Sequence, residues 1–165
     1  MPGVSMRQSG FVVFLTAKGR NNMNQLYELA RPFPSKWVKK APKGKFGNYV
    51  AHSVIAQRLL EICGPYTWEV TELIRQSEEK KVVGCFGKLT VVIDEKEVII
   101  TSIGDVEHDQ GSDGTNAKHA ESDAFKRCAM KIGLGLHLWA GEEYYLDKKL
   151  EENSPHLTEA SLQTA

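Results

Sequence analysis

The sequence predicts an α+β domain whose core runs in the order helix, three-stranded antiparallel β-meander, helix. Apolar residues recur at helical spacing in two separate segments, residues 52–62 and 117–132. Three β-branched segments lie between those helices, and short polar turns join them, which indicates antiparallel pairing of consecutive strands. The 165 residues suffice for one domain with its own core.

The predicted strands span residues 66–76, 82–93 and 98–103. The first alternates apolar and polar residues, as a strand with one buried face does. The second is a long β-branched run, and the turns before and after it are Ser77-Glu78-Glu79-Lys80 and Asp94-Glu95-Lys96-Glu97. Turns this short join neighbouring antiparallel strands, so a meander is predicted.

The first strong helix closes at Gly64-Pro65, because proline cannot continue a helix. A shorter helix is predicted over residues 24–30, ended by the prolines at 32 and 34. The second strong helix follows a loop over residues 104–116 that is rich in Asp, Gly and Ser, and it leads into Gly133-x-Gly135. Both strong helices carry an apolar stripe, so both are expected on one face of the sheet.

We expect the domain to occupy residues 23–147, preceded by a poorly ordered leader (1–22) and followed by a charged tail (148–165). No apolar run is long enough for a membrane span, so no membrane association is expected. The three cysteines are widely spaced and suggest neither a disulfide framework nor a zinc ribbon. A reducing compartment, the cytoplasm, is therefore predicted.

The formal net charge is zero, but the charges are unevenly distributed. Five lysines and no acidic residue occur within residues 36–45, whereas residues 142–165 contain six acidic residues and two lysines. This distribution predicts a basic face and an acidic tail. A solvated lysine-rich loop accounts for the basic cluster equally well.

The second strong helix carries the best candidates for phosphate contacts. Lys126 and Lys131 lie off its apolar stripe, Arg127 borders the stripe, and Lys118 lies two turns earlier. Asp123 precedes Lys126 and Arg127 by three and four residues, so it can orient either cation. An arginine beside a lysine suits phosphate oxygens, although the same pattern describes the wet face of an amphipathic helix.

Three motifs occur in an order that resembles the single-strand annealing proteins of the eukaryotic Rad-fifty-two type and their phage relatives. They are YVAHSVI at 49–55, GPYTW at 64–68, and AESDAFKR at 120–127 followed by Gly133. The resemblance covers roughly residues 36–147. It implies a ring-like homo-oligomer that holds single-stranded DNA in a basic groove and anneals complementary strands without enzymatic activity, ATP, metal or another cofactor.

By the same resemblance, Lys126 and Arg127 contact the DNA backbone. We then expect Lys118 and Lys131 to extend the groove. The opposite wall is expected to carry Lys43, Lys45 and Tyr49. Met130 stands where the family has another arginine, which leaves open whether Lys131 replaces it. The resemblance also leaves open whether the oligomer is a ring or a helical filament. It does not decide whether a phage exonuclease or a host single-strand-binding protein is a partner. The short chain favours a phage or bacterial type, acting in recombination and DNA repair. The expected location is then the host-cell cytoplasm or nucleoid if the protein is phage-encoded.

Two other interpretations compete. The element order is also that of a double-stranded RNA-binding module, whose second helix presents lysines to phosphates. A metal-dependent nuclease would use the acidic residues and histidines of the loop and helix start: Asp105, Glu107, His108, Asp109, Asp113 and His119. Acidic residues in a Gly-rich loop are more often turn residues. Trp68 and Trp139 are interpreted as core or subunit-interface residues rather than base-stacking ones.

Overall fold

The fold is built around a three-stranded antiparallel sheet, described in a computed structural model for residues 24–41, 47–76, 78 and 80–154. The helices are α1 (Gln25–Ala30), α2 (His52–Cys63), α3 (Asp113–Lys131), α4 (His137–Ala140) and α5 (Leu146–Glu152), with 3-10 turns at Ser35–Trp37 and Gly141–Glu143. The strands are β1 (Lys39–Lys40), β2 (Asn48–Tyr49), β3 (Thr67–Arg75), β4 (Val82–Ile93) and β5 (Lys96–Asp105). The predicted α+β class and meander are confirmed.

The sheet has the order β3-β4-β5, and β1 and β2 form a separate two-stranded hairpin. In the main sheet Leu89 lies opposite both Trp68 and Ile100, so one face presents apolar side chains to the helices. Leu89 and Val91 are buried, whereas Phe86 and Val92, which point the other way, are exposed. Alternation along β4 thus makes one face of the sheet the floor of the core.

Helix α3 packs directly across β4 and β5. Its Phe125 is 1% exposed and stacks on His52 of α2, with ring centroids 4.5 Å apart. Trp68 of β3 meets the same ring edge-on at 5.1 Å, and its indole N–H donates to Glu121 at 2.7 Å. Phe125 therefore joins both strong helices to the sheet, and the prediction that Trp68 is a core-facing residue is confirmed.

The loop before α3 is shorter than the sequence suggests. Strand β5 continues to Asp105 and α3 begins at Asp113, rather than near residue 117. Ser112 caps the helix, because its hydroxyl accepts from the Thr115 backbone N–H at 3.2 Å. Asn116, a weak helix former, is only 2% exposed and donates to the Val82 carbonyl oxygen at 3.0 Å. The local cap and this tertiary hydrogen bond together outweigh the turn-like composition.

The C-terminal helices return to the start of the domain. Residues 148–154, predicted to belong to the charged tail, include most of α5 and pack near α1. The Asn24 amide donates to the Ser154 hydroxyl at 3.0 Å, and the Tyr144 hydroxyl donates to the Ala30 carbonyl oxygen. The predicted leader (1–22) and residues 155–165 lie outside the described residues, so the domain boundaries stay a prediction.

Candidate nucleic-acid interface

The polar side of α3 borders a solvent-open groove of about 900 Å³. Its opposite wall is the end of β5 and the segment that follows. Cations and acids both line it, including Lys118, Lys126, Arg127, Asp105, Glu107 and Asp123. Because the three acids offset the three cations in formal charge, the groove's ability to bind an anion depends on which cations are already paired.

Arg127 is held by carboxylates. Its Nε donates to Asp123 Oδ2 at 2.7 Å, and its Nη2 lies 3.9 Å from Asp105 Oδ1. The Asp105 backbone N–H also donates to Asp123 Oδ2 at 3.3 Å, so Asp123 is itself fixed. The prediction that Asp123 orients a cation is confirmed for Arg127. A half-exposed i,i+4 pair contributes only about 0.3–0.5 kcal/mol, so its main effect is to aim the guanidinium.

Lys118 and Lys126 differ from Arg127. Within the part of the chain that the structure describes, neither ammonium group has an ion-pair or hydrogen-bond partner, and both line the groove. Lys126 follows Lys118 by eight positions on α3, which corresponds to roughly 12 Å along the helix axis. The groove therefore offers two unpaired positive charges in a row, with an oriented guanidinium next to one of them.

Behind Lys126 lies a second, smaller cleft of about 290 Å³. Tyr49 reaches it from β2, which pairs with β1 in the register Lys39↔Tyr49, and Trp139 reaches it from α4. Lys126 and Asp123 line both spaces, so the cleft adjoins the groove. Tyr49 is thereby placed beside Lys126, although 77 positions separate them in the chain.

Trp139 does not belong to the core of this chain. It is 54% exposed, and the Arg127 guanidinium carbon lies 5.2 Å from the centre of its ring. The core interpretation of Trp139 is therefore wrong, and the subunit-interface interpretation stays a prediction. Its two preceding glycines, Gly133 and Gly135, have positive φ values of 94° and 79°, and they turn the chain sharply after α3.

Not every predicted site residue lies in this region. Lys131 is exposed and donates from Nζ to the Thr101 carbonyl oxygen on β5 at 2.6 Å, and it lines neither space. Five residues after Lys126, it lies about 140° around the helix. Lys43 and Lys45 lie outside the described residues. The structure thus places Lys118, Lys126 and Arg127 along the groove, and Tyr49 with Lys126 in the adjoining cleft.

Sequence reasoning missed Asp105 as a partner of Arg127. The two residues are distant in the chain and meet only because α3 crosses β5 at Gly104, where a side chain would collide with the helix backbone. The sequence held one indication of this close approach, because Gly104 directly follows a predicted strand and precedes Asp105.

The remaining acids of the proposed nuclease site have other partners. Asp109 pairs with Lys81 at 3.0 Å, and Asp113 pairs with Arg75 at 2.8 Å. Hydrogen bonds from those cations, and then from backbone amides, lower the pKa of both carboxyl groups. Among the described residues, no three His, Cys, Asp or Glu side chains are grouped so as to share a metal ion.

None of the described helices is long and apolar enough to cross a membrane.

Comparison with known proteins identifies a family for this chain. A comparison with the curated proteins finds no match. Residues 22–156 match the family described as Rad52/22 family double-strand break repair protein. That match covers most of the 165 residues and includes every element described above. The chain therefore belongs to the Rad52/22 family of double-strand break repair proteins.

Proposed function

We propose that this protein binds single-stranded DNA along the α3 groove and anneals complementary strands without ATP, in recombination and repair of the phage or bacterial type. The observation that carries the proposal is the pair of unpaired ammonium groups, Lys118 and Lys126, on one wall of the groove. Arg127 stands beside Lys126 with its guanidinium aimed by Asp123. Family membership supports a role in strand repair.

The physical demands of annealing suit such a site. Two complementary strands repel each other through their phosphates, and no covalent bond has to be made or broken when they pair. A protein that neutralises phosphates and leaves the bases accessible lowers the repulsion without selecting a sequence. Cations on one wall of an open groove are placed to contact the backbone, and such contacts weaken steeply as salt rises.

We also propose that copies of the chain assemble side by side. The sheet face opposite the helices exposes four large apolar side chains: Phe86, Val92, Ile99 and Ile103. Within the described residues, the outer edges of β3 and β5 pair with no further strand. Exposed apolar area and open strand edges both favour association. A homo-oligomer would place many short grooves along one DNA strand, and its expected location is the cytoplasm or nucleoid.

The test is fluorescence-monitored annealing of two complementary oligonucleotides, in chelator and without nucleotide, over a salt series. We expect acceleration that fades as salt rises. Absence of acceleration together with tight binding to double-stranded RNA would overturn the proposal in favour of an RNA-binding module. Strand degradation that begins when magnesium is restored would overturn it in favour of a nuclease.

A matched pair of variants tests the site. Lys126→Ala should weaken binding of every sequence alike and lower the slope of log K against log salt by about 0.7 for each phosphate that the protein no longer neutralises. Lys96→Ala removes the same charge at the other end of β5 from the groove and should change neither quantity. Equal effects from both variants would mean that overall charge, and not the groove, binds the DNA.

A further inference from the structure

Trp139 is a large aromatic side chain that the proposed backbone contacts leave unexplained. It is 54% exposed, although burying a tryptophan is strongly favourable. It lines the 290 Å³ cleft together with Tyr49, which is 39% exposed, and Lys126. Two exposed aromatic rings and a lysine therefore share one small cleft, and that cleft adjoins the groove proposed for the DNA backbone.

The indole ring is held in place. The guanidinium of Arg127 lies over it at 5.2 Å from the ring centre, and Asp123 fixes that guanidinium through a 2.7 Å hydrogen bond. A cation over an aromatic face is attractive, so the ring is pre-oriented without being buried. Pre-orientation lowers the conformational entropy that a ligand must overcome when it contacts the ring.

The cleft presents two chemistries next to each other. Aromatic faces bind flat heterocycles by stacking, and an unpaired ammonium group binds a phosphate. A nucleotide carries both parts within a single residue of the strand. We propose that Trp139, with Tyr49, stacks on a nucleobase of the bound strand while Lys126 contacts the adjoining phosphate. This inference deepens the proposed function and rests on it.

Stacking and phosphate contact should separate in their salt dependence. Neutralising a phosphate releases counterions, whereas stacking a base on an indole ring releases none. Loss of the ring should therefore weaken binding by a similar factor at every salt concentration. Loss of Lys126 should instead flatten the salt dependence. Stacking also tolerates any base, so no sequence preference is expected.

The first experiment compares the full-length protein with its Trp139→Ala variant on oligo-dT and on an abasic oligomer of the same length. Alanine should weaken oligo-dT binding by about 5- to 150-fold, with an unchanged salt slope. It should have little effect on the abasic oligomer. Trp37→Ala removes a tryptophan of similar exposure, 41%, that lies outside the cleft, and it should leave both affinities unchanged.

A second experiment uses the unaltered protein, so it does not depend on how the variant folds. An oligonucleotide containing 5-iodouracil is irradiated in complex with the protein, and the cross-linked peptide is identified. We expect the cross-link at Trp139 or Tyr49. A cross-link only at other positions, or equal loss of affinity for oligo-dT and abasic strand in Trp139→Ala, would overturn the stacking assignment.

Two further outcomes are distinguishable. If the unaltered protein binds no oligonucleotide at all, the proposed function fails and this inference fails with it. If Trp139→Ala changes the oligomeric state measured by sedimentation, and loses no base-dependent affinity, the ring is a contact between copies of the chain. That result would overturn the inference and leave the annealing function standing.

Discussion

Replacing Gly104 with alanine tests how α3, the helix that carries the proposed DNA-binding residues, is held on the sheet. An ideal Cβ at position 104 would lie 2.9 Å from the Ala124 Cα atom. It would lie still closer to the Ala120 carbonyl oxygen and the Ala124 amide nitrogen. All three are backbone atoms of α3, so no side-chain rotation relieves the collision.

The cost follows from that geometry. Adding a methyl group to a packed core usually costs about 1–3 kcal/mol when neighbouring side chains adjust. Here the whole helix must move away from β5, which also loosens its apolar contacts, so we expect the upper end, about 3 kcal/mol. For a domain of this size that corresponds to a fall in Tm of about 6–12 °C.

Urea denaturation at fixed protein concentration measures the change. Gly114→Ala is the matched control, since a Cβ there meets nothing within 4 Å and the residue lies in the first turn of α3. Alanine at that exposed helical position should stabilise the protein by about 0.5–1 kcal/mol. A Gly104→Ala variant within about 0.5 kcal/mol of wild type would refute the close packing of α3 on β5.

Two further predictions concern charge. Asp123→Asn keeps an acceptor for Arg127 and removes a negative charge from the groove. Like charges about 5 Å apart in water repel by about 0.8 kcal/mol, so DNA should bind about fourfold tighter at low salt. Burial, and then nearby positive charge, lower the pKa of His137 below 6.5, and its Nε2 accepts from the Phe33 backbone N–H at 3.2 Å. The unfolded state thus binds more protons between the folded pKa and 6.5, so stability should fall as pH decreases below about 6.5. Urea titrations from about pH 5 to 8 should show that the free energy of unfolding falls less on acidification in the His137→Gln variant than in the unaltered protein.

Matched variants control both predictions. Glu69→Gln removes the same charge from the Glu69–Lys88 pair on the sheet, which lines neither the groove nor the cleft, and should leave DNA affinity unchanged. Weaker binding by Asp123→Asn would show that orienting Arg127 matters more than lowering the negative charge. His119→Gln removes an exposed histidine of α3. If it reduced the acid-induced loss of stability as much as His137→Gln does, His137 would not be its source.

Hydrophobic periodicity predicts the architecture because local pattern and tertiary packing agree over most of the sheet and helices. The strand pairing and the stripe of α3 follow directly from it. Agreement fails at the start of α3, where Gly114 and Asn116 are typical of a loop. A cap by Ser112 and a buried hydrogen bond from Asn116 to Val82 make the segment helical. The Ser112 cap is a local signal of a helix start, whereas the bond from Asn116 to Val82 joins residues 34 positions apart and is not visible in local composition.

The sequence by itself determines which cations lie together on one helix, because Lys126 follows Lys118 by eight positions along a predicted α-helix. Residue spacing also determines that Asp123 can reach Arg127. Tertiary structure alone decides that Tyr49 and Trp139 join Lys126 in one cleft, and that Asp105 approaches Arg127. Those contacts join residues far apart in the chain, and they depend on how closely α3 packs on β5 and on the turns that follow α3. A one-dimensional pattern carries periodicity along an element, whereas distances between elements arise only when their surfaces pack together.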